Sequence, residues 1–339
     1  MISISAVIAT RNRKVSLYRT LQALNNQSCK LKEVIIVDSG DVKLNEAELL
    51  NTFRSLNIKY IASDPSVCVQ RNIGIRKSTS DYIFICDDDI EPEPGYVFTL
   101  SNFIENDSSA NAVSGLILEK DNNEVWVSQY PPKSPVSILF SFIFQISVWG
   151  EVNEKKFNSF WIEPIISFYK KRGNGFSFAG WPIISNFENP VFKTNVYGLG
   201  ASIIKKELLI NTPFDEVLDN YGIGDNYGIC ISLPNKVTVI TGTFVYHHKE
   251  SENRLDSALI YYRRVLALHY FLKKSKRFNS INTLWLLWSL IGSIILFLKN
   301  RQFKLAKAAF KSIIIVVTHN NPYYTGSKKN IKNVCPNFN

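Results

Sequence analysis

The chain has 339 residues, 45% hydrophobic and 20% charged, which is ample for a catalytic core with a substantial appendage. A formal net charge of +10 suits nucleic acid, anionic lipid or phosphorylated substrates, and because no nucleic-acid-binding motif accompanies it, nucleic acid is set aside. Five cysteines, Cys29, Cys68, Cys86, Cys230 and Cys335, form an odd set without metal-type spacing, which reads as free thiols in a reducing compartment and excludes a disulfide or zinc framework.

The first element is a short apolar run, Ile4 to Ala9, with no basic region before it, so it reads as a buried strand and not as a signal peptide. It ends at Thr10-Arg11-Asn12-Arg13. Leu17, Leu21 and Leu24 then recur at helical spacing, and Glu33 to Val37 returns as a second apolar run closed by Asp38-Ser39-Gly40. A third run, Ile58 to Ile61, precedes a helix over Cys68 to Lys77. Next comes the strand Ile83-Phe84-Ile85-Cys86, which runs directly into Asp87-Asp88-Asp89. Strands alternating with helices predict a parallel sheet with right-handed crossovers. In such a sheet ligands bind beyond the carboxyl ends of the strands, where Thr10, Asp38 and the three aspartates all fall. Three adjacent carboxylates repel one another unless a cation gathers them, and oxygen ligands at a strand end fit a hard ion, Mg²⁺ or Mn²⁺, that keeps substrate phosphates in its shell. Taken alone, the triplet could equally be a solvated acidic turn.

Four stretches in order, Val7 to Arg13, Val34 to Gly40, Gln70 to Ile75 and Asp81 to Pro92, resemble the family 2 glycosyltransferases. The resemblance covers roughly the first hundred positions. It implies an α/β GT-A nucleotide-sugar-binding fold, with a mostly parallel central sheet flanked by helices and a C-terminal helical, partly hydrophobic extension. By that resemblance Asp38 accepts hydrogen bonds from the nucleotide base, and Thr10 and Arg13 line the same pocket. Arg71 lies near the donor, Asp87 near the ribose and Asp88 within the same acidic motif, while Asp89 lies on the metal that bridges the diphosphate. The charge that develops on a departing nucleoside diphosphate is what such a cation stabilises. The implied activity is inverting transfer of a sugar from a nucleotide diphosphate donor to a hydroxyl of a glycan, free or lipid-linked, in bacterial surface polysaccharide assembly.

Farther along, Val136 to Trp149 is an uncharged stretch of fourteen, short for a span and suited to an interfacial or buried helix. Trp161 and Trp181 follow; they either stack on acceptor sugars or pack in the core. Asn195 to Ser202 resembles the family's strand that closes the acceptor pocket. The family's Gly-Glu-Asp base motif is replaced by Gly224-Asp225-Asn226. Asparagine cannot act as a base, so Asp225 is the expected catalytic residue, with Asp215, Glu216 and Asp219 as weaker candidates; Asp225 could also cap the following helix. Val237 to Ile240 and Thr243 to His248 read as two strands. The family often places a histidine metal ligand at the end of the second, which His247 or His248 fits, and strand alternation sends only one of the two to the site.

After a basic, aromatic segment from Arg254 to Arg277, Ile281 to Leu298 is uncharged over eighteen residues, and Lys299, Arg301, Lys304 and Lys307 follow. At ~1.5 Å per residue such a helix reaches about 27 Å, a borderline span that equally suits a helix lying in an anionic leaflet or one packed on the catalytic domain. The expected organisation is therefore residues 1–250 as the catalytic domain (1–115 nucleotide-sugar half, 116–250 acceptor half), 251–320 as a membrane-associated extension at the cytoplasmic face of the cell membrane, peripheral or with a single span, and 321–339 as a polar, frayed tail. Two rival functions are a nucleotidyltransferase or pyrophosphorylase, although the glycine-rich phosphate loop usual for those enzymes is missing after the first strand, and a non-catalytic membrane-associated sugar-binding protein.

Overall fold

The structure is a computed structural model that describes residues 2–152, 160–218, 220–250 and 255–324. Asp219, Arg254, Cys335 and the tail beyond residue 324 lie outside the described residues.

Along the first half, strands and helices alternate: β1 (Ile4–Thr10), α1 (Lys14–Asn25), β2 (Glu33–Asp38), α2 (Glu46–Thr52), β3 (Ile58–Ala62), α3 (Val67–Lys77), β4 (Tyr82–Asp87), β5 (Ile90–Pro92) and α4 (Tyr96–Asn106). Then come β6 (Ala112–Lys120), β7 (Trp126–Val127), α5 (Pro135–Phe144), β8 (Val148–Trp149), α6 (Glu163–Arg172), β9 (Gly175–Phe176), β10 (Pro182–Ile184), β11 (Val191–Thr194), β12 (Ala201–Lys205), α7 (Lys206–Asn211), α8 (Asp225–Ser232) and β13 (Val237–His247). Three helices close the described chain, α9 (Ser257–Lys274), α10 (Ser280–Lys299) and α11 (Phe303–Val317).

The main sheet runs in the order β11-β13-β6-β12-β4-β1-β2-β3, with β5 and β7 at its margins, and β8-β10-β9 form a small second sheet. Along that path β3, β2, β1 and β4 pair in parallel, as do β13 and β6, while β12 and β11 enter antiparallel. The parallel half forms because each of β1, β2 and β4 is apolar on both faces, as a strand covered by helices on each side must be. Along β1, Ala6 and Ile8 join the core under α1 and α4, and Val7 joins the other core, under α3, α8 and α9. Register puts Thr10 beside Asp38 and Ala9 beside Asp87, so the polar strand ends collect at one edge, beside the point where the chain order reverses around β1.

Three expectations are corrected. Val237 to His247 is one strand and not two, bent where its register against β6 shifts between Ile240 and Phe244. The stretch from Val136 to Trp149 divides into α5 and the short β8, with a left-handed turn at Gln145 between them. The start of the tail is docked, not frayed: Tyr323 is buried, and the Asn321 side-chain amide donates to the Leu266 carbonyl at 2.8 Å on α9.

α10 is, among the described residues, the one helix long and apolar enough to cross a bilayer. Its inner face nevertheless packs on the rest of the protein. Leu286 and Leu290 are fully buried, the Trp181 indole donates to Ser289 Oγ at 2.8 Å, and the Trp288 indole donates to the Ile143 carbonyl of α5 at 2.9 Å. α11 folds back along it, and Ile281, Leu284, Ile291, Ile295 and Leu298 face outward.

Candidate active site

α3 assembles the site because Gln70, Arg71, Asn72 and Gly74 meet different parts of the chain. Gly74 lies against β1, where an added Cβ would come within 2.4 Å of Val7 Cγ1, so only glycine lets the helix settle this close. One turn earlier, the Gln70 amide donates to the Thr10 carbonyl at 2.9 Å and to the Val37 carbonyl at 2.7 Å, tying the ends of β1 and β2 together. Asn72 exchanges two hydrogen bonds with the backbone of Phe214 and so fixes the loop that leads to α8. Arg71 is left to point along the sheet edge.

There its guanidinium joins two acids from distant parts of the chain. It donates to Asp87 Oδ1 at 2.5 Å and to Asp225 Oδ2, and it lies 5.1 Å from the centre of the Phe214 ring. The Arg71 side chain is 7% exposed and that of Asp225 10%. Burial opposes the arginine's charge, but the charges of Asp225 and Asp87 overcome it and raise its pKa. A surface position for Arg71 is thereby excluded. Asp225 opens α8 as its first residue, behind Gly224, and its Oδ1 accepts from the Asn226 amide at 2.6 Å. The weaker base candidates lie elsewhere: Asp215 binds Tyr270 and Lys274, and Glu216 binds Asn72.

The middle aspartate turns inward. Asp88 accepts from Thr10 Oγ1 at 2.7 Å and from Arg13 at 3.0 Å, so it holds the loop after β1 in place. Burial, partly offset by Arg13, pushes its pKa up to about 6. Asp38 is likewise occupied: its carboxylate accepts from the Gly40 amide at 2.7 Å, the Leu44 amide at 3.2 Å and the Tyr60 hydroxyl at 2.8 Å. Three of its roughly four acceptor positions are thus in use by its own surroundings. Asp38, Thr10, Arg13 and Glu48 border a cavity of about 440 Å³. Thr10 and Arg13 also border the neighbouring cleft of about 830 Å³, which holds Arg71, the Asp87–Asp89 run, Asp225 and His247.

At the end of β13 the two histidines part. His247 Nε2 meets Asp89 Oδ1 at 3.2 Å, and its Nδ1 meets Glu119 Oε1 at 3.0 Å. His248 contacts Glu91 at 2.9 Å and lies edge-on to Trp126, so of the two candidate histidines it is His247 that lines the cleft, as strand alternation requires of one of them. Burial disfavours the His247 cation, yet its hydrogen bonds with Asp89 and Glu119 raise its pKa to about 10. Glu119 in turn is held down to about 2 against its own burial, by His247 and Lys249. Among the described residues no three His, Cys, Asp or Glu side chains converge as a ready-made metal cage. The pair Asp89 and His247 still fits half of a shell, a carboxylate oxygen and an imidazole nitrogen, of the kind a Mn²⁺ ion completes with phosphate oxygens and water.

Two participants escape sequence reading. Glu119 lies directly opposite His247 in the β6–β13 register, a pairing that no local pattern announces. Arg264 of α9 also lines the large cleft, together with Tyr261, Leu296 and Phe297 from α9 and α10. Of the tryptophans, Trp181 is buried at the cleft wall, Trp161 is exposed, and Trp149 stacks on Tyr197 with ring centres 5.5 Å apart.

Comparison with known proteins agrees with this geometry. The model for "Glycosyl transferase family 2" matches residues 5–159. Chondroitin synthase from Escherichia coli is 30% identical over 158 residues, 45% of this chain and 23% of that protein. The amylovoran biosynthesis glycosyltransferase AmsB from Erwinia amylovora is 39% identical over 95 residues, 26% of this chain and 32% of that protein. The chain thus spans less than half the length of these relatives. Among solved structures, S. aureus TarS 1-349 in complex with UDP-GlcNAc superposes with a TM-score of 0.56 at 13% identity, over 93% of this chain and 82% of that one. GalNAc-T7 with UDP, GalNAc and Mn²⁺ gives 0.55 at 13% identity, over 95% of this chain and 58% of that one. Residues 5–159 thus match glycosyl transferase family 2, and the fold of the chain is that of the GT-A glycosyltransferases.

Proposed function

We propose that the protein is an inverting, metal-dependent glycosyltransferase that moves a sugar from a nucleotide diphosphate donor to a hydroxyl of a glycan acceptor in bacterial surface polysaccharide assembly. The observation that carries this reading is the bridge made by Arg71, which brings Asp87 at the donor strand end and Asp225 at the start of α8 onto one guanidinium inside one cleft. In this reading the nucleotide occupies the cavity at Asp38, Thr10 and Arg13, and the diphosphate lies toward Asp89 and His247. A divalent ion bound there would neutralise charge on the departing diphosphate. Asp225, held beside the Arg71 guanidinium, takes the proton of the acceptor hydroxyl as that oxygen attacks the anomeric carbon from the face opposite the diphosphate. One displacement with one base inverts the configuration.

The membrane is met from the side. Because the inner face of α10 is committed to Trp181, Ser289 and α5, the helix is better suited to lie in a leaflet than to cross it, with its outward apolar residues in the interface. Lys299, Arg301, Lys304 and Lys307 follow directly and suit the anionic headgroups of a cytoplasmic leaflet. A lipid-linked glycan would be delivered at that surface.

The test is release of nucleoside diphosphate from a panel of nucleotide sugars with glycan acceptors, with Mn²⁺ and with chelator, alongside flotation on anionic vesicles. Asp225→Asn lowers turnover by about 10³-fold while leaving donor binding intact, the scale of a lost general base. Asp89→Ala abolishes the response to Mn²⁺. Pyrophosphate as the product, or full turnover by Asp225→Asn, overturns the assignment; absence from floated vesicles overturns the membrane seat alone.

A further inference from the structure

The last turns of α10 belong to two surfaces at once. Ile291, Ile295 and Leu298 face outward, while Ser293, Leu296 and Phe297 line the large cleft. Ile295 and Leu296 are consecutive, so the outward apolar face and the cleft wall meet along this stretch. Earlier in the helix the side toward α5 is sealed: Phe144 stacks on Trp288 with ring centres 5.0 Å apart, and a Cβ added at Gly292 would come within 2.4 Å of Phe144 Cγ. After Phe144 the left-handed turn at Gln145 ends α5, and Ile146 lines the cleft. The seam between α5 and α10 is thus packed as far as Gly292 and gives way to the cleft beyond it.

The wall that opens there is apolar. Ile146, Ile260, Leu296 and Phe297 form it, apart from two serines, Tyr261 and the solvent-exposed Arg264. α9 joins this wall to the proposed base. Phe297 packs edge-on against Tyr261 at 5.0 Å, and Gly224, just before Asp225, sits so close to α9 that an added Cβ would fall 2.5 Å from Ala267 Cβ. Tyr261 and Ala267 are about 9 Å apart along the helix axis, a short reach. Outside the seam, charge and shape both suit a lipid leaflet. From Ser257 to Asn339 the chain has no Asp or Glu. On α11, Phe303, Phe310, Ile314 and Val317 are exposed and recur at helical spacing on one face, flanked by Lys304, Lys307 and Lys311. An apolar stripe with a basic flank suits a helix seated among anionic headgroups, so α11 joins α10 in the seat.

We infer that the apolar end of the cleft seats the hydrocarbon chain of a lipid-linked acceptor, which enters from the leaflet past Gly292, between α5 and α10. The reacting hydroxyl then lies within a sugar or two of the lipid, because the wall and the base are so close along α9. This rests on the transferase reading for the word acceptor, but the chain-binding groove itself does not. A free leaflet lipid gains little by moving from hydrocarbon into an equally apolar groove. A chain tied to a sugar is different: it is drawn in when that sugar reaches Asp225.

The experiment exposes the full chain, without membranes, to farnesyl phosphate tipped with a diazirine and held below its aggregation concentration. After irradiation the labelled residues are mapped by mass spectrometry in the wild type, Leu296→Asp and Ile295→Asp. Binding of uridine, guanosine and thymidine diphosphates and the melting temperature are measured in parallel. The expected result is labelling of Ile146, Leu296 or Phe297 in the wild type, falling about tenfold in Leu296→Asp, where a charge meets the chain. Ile295→Asp, one residue along, keeps the cleft labels and loses flotation on anionic vesicles. Labels confined to Ile291, Ile295 and Leu298 overturn the inference, as do cleft labels undiminished in a folded Leu296→Asp. Should Leu296→Asp melt early, competition in the wild type decides: excess unlabelled farnesyl phosphate must erase the cleft labels, and labels that persist overturn the groove. A wild type that binds no nucleotide would instead count against the transferase reading and leave the labelling readable.

Discussion

In the parallel half of the sheet, β3-β2-β1-β4, the polar strand ends find their partners close by. Asp38 is held by its own loop and by Tyr60 of β3, Asp88 by Thr10 and Arg13, and Gln70 ties β1 to β2. In the mixed half, partners come from far along the chain: Asp225 reaches Arg71, and Glu119 and Asp89 meet at His247. The parallel half thus holds its own strand ends in place, and it is the half proposed as the nucleotide platform. The mixed half is completed only when the two halves interlock, and the chemistry is proposed for that seam.

Removing the interlock gives the largest expected effect. Arg71→Met keeps most of the side-chain volume but leaves Asp225 buried and Asp87 half-buried with no cation between them. Breaking such a pair from one side costs about 3 kcal/mol or more, because a charge stays behind without compensation. Urea unfolding should show that loss, together with loss of turnover. A double variant, Arg71→Met with Asp225→Asn, should regain part of the stability but none of the activity. If Arg71→Met unfolds at the wild-type midpoint, the two halves are not joined through this residue.

A subtler break leaves the stability nearly unchanged. Gly200, just before β12, accepts from the Asp87 amide at 2.8 Å, and a Cβ added there would fall 1.9 Å from Asp87 Oδ2. Gly200→Ala must therefore turn the Asp87 carboxylate away from its position beside Arg71. The Asp87 side chain is 32% exposed, so it can rotate toward water at small cost in stability. Activity should fall about 100-fold, the penalty for misplacing one group at a reacting centre. Comparing kcat with the melting temperature checks this: a large fall in both would mean that Gly200 serves packing instead of aiming the acid.

What the sequence made legible follows the same division. The stretches around Thr10, Asp38, Gln70-Arg71-Asn72 and Asp87 were readable because a strand, its helix and the next strand are consecutive, so alternation and spacing fix which ends converge. The cleavage of duties within the acidic run was less visible: nothing in Asp87-Asp88-Asp89 says that the middle residue turns to Arg13. Asp225 was reachable only by family resemblance, since its partner lies 154 positions away. Glu119 and Arg264 gave no local signal, because each reaches the site by tertiary placement, one through the β6–β13 register and the other through the seating of α9. The two apparent strands before His248 merged into one for a related reason: β6 supplies a continuous partner, and the interruption near Gly242 is absorbed as a register shift.

If the parallel half is self-sufficient, its stability should carry its own pH signature, and Glu33 supplies it at the opposite end of β2 from the site. Its carboxylate accepts from Ser5 Oγ at 2.7 Å and from the Thr79 amide at 2.6 Å, and it pairs with Lys59. Burial works against the charge, but the bonds from Lys59, Thr79 and Ser5 prevail and bring its pKa from 4.5 down to about 2. A depressed carboxylate pKa means that the unfolded chain takes up the proton first, so the stabilisation is complete above pH 4.5 and is lost as the pH falls toward 2. Glu33→Gln should therefore be less stable at pH 7, by about 1.5 kcal/mol given that Lys59 is partly exposed, and should lose less stability than wild type between pH 4.5 and 2. Turnover, normalised to folded protein, should stay at the wild-type level, because the direct partners of Glu33, namely Ser5, Lys59 and Thr79, all belong to the parallel half. An acid slope identical in the two proteins would show that Glu33 does not hold the platform, and a fall in turnover would show that the platform is not independent of the seam.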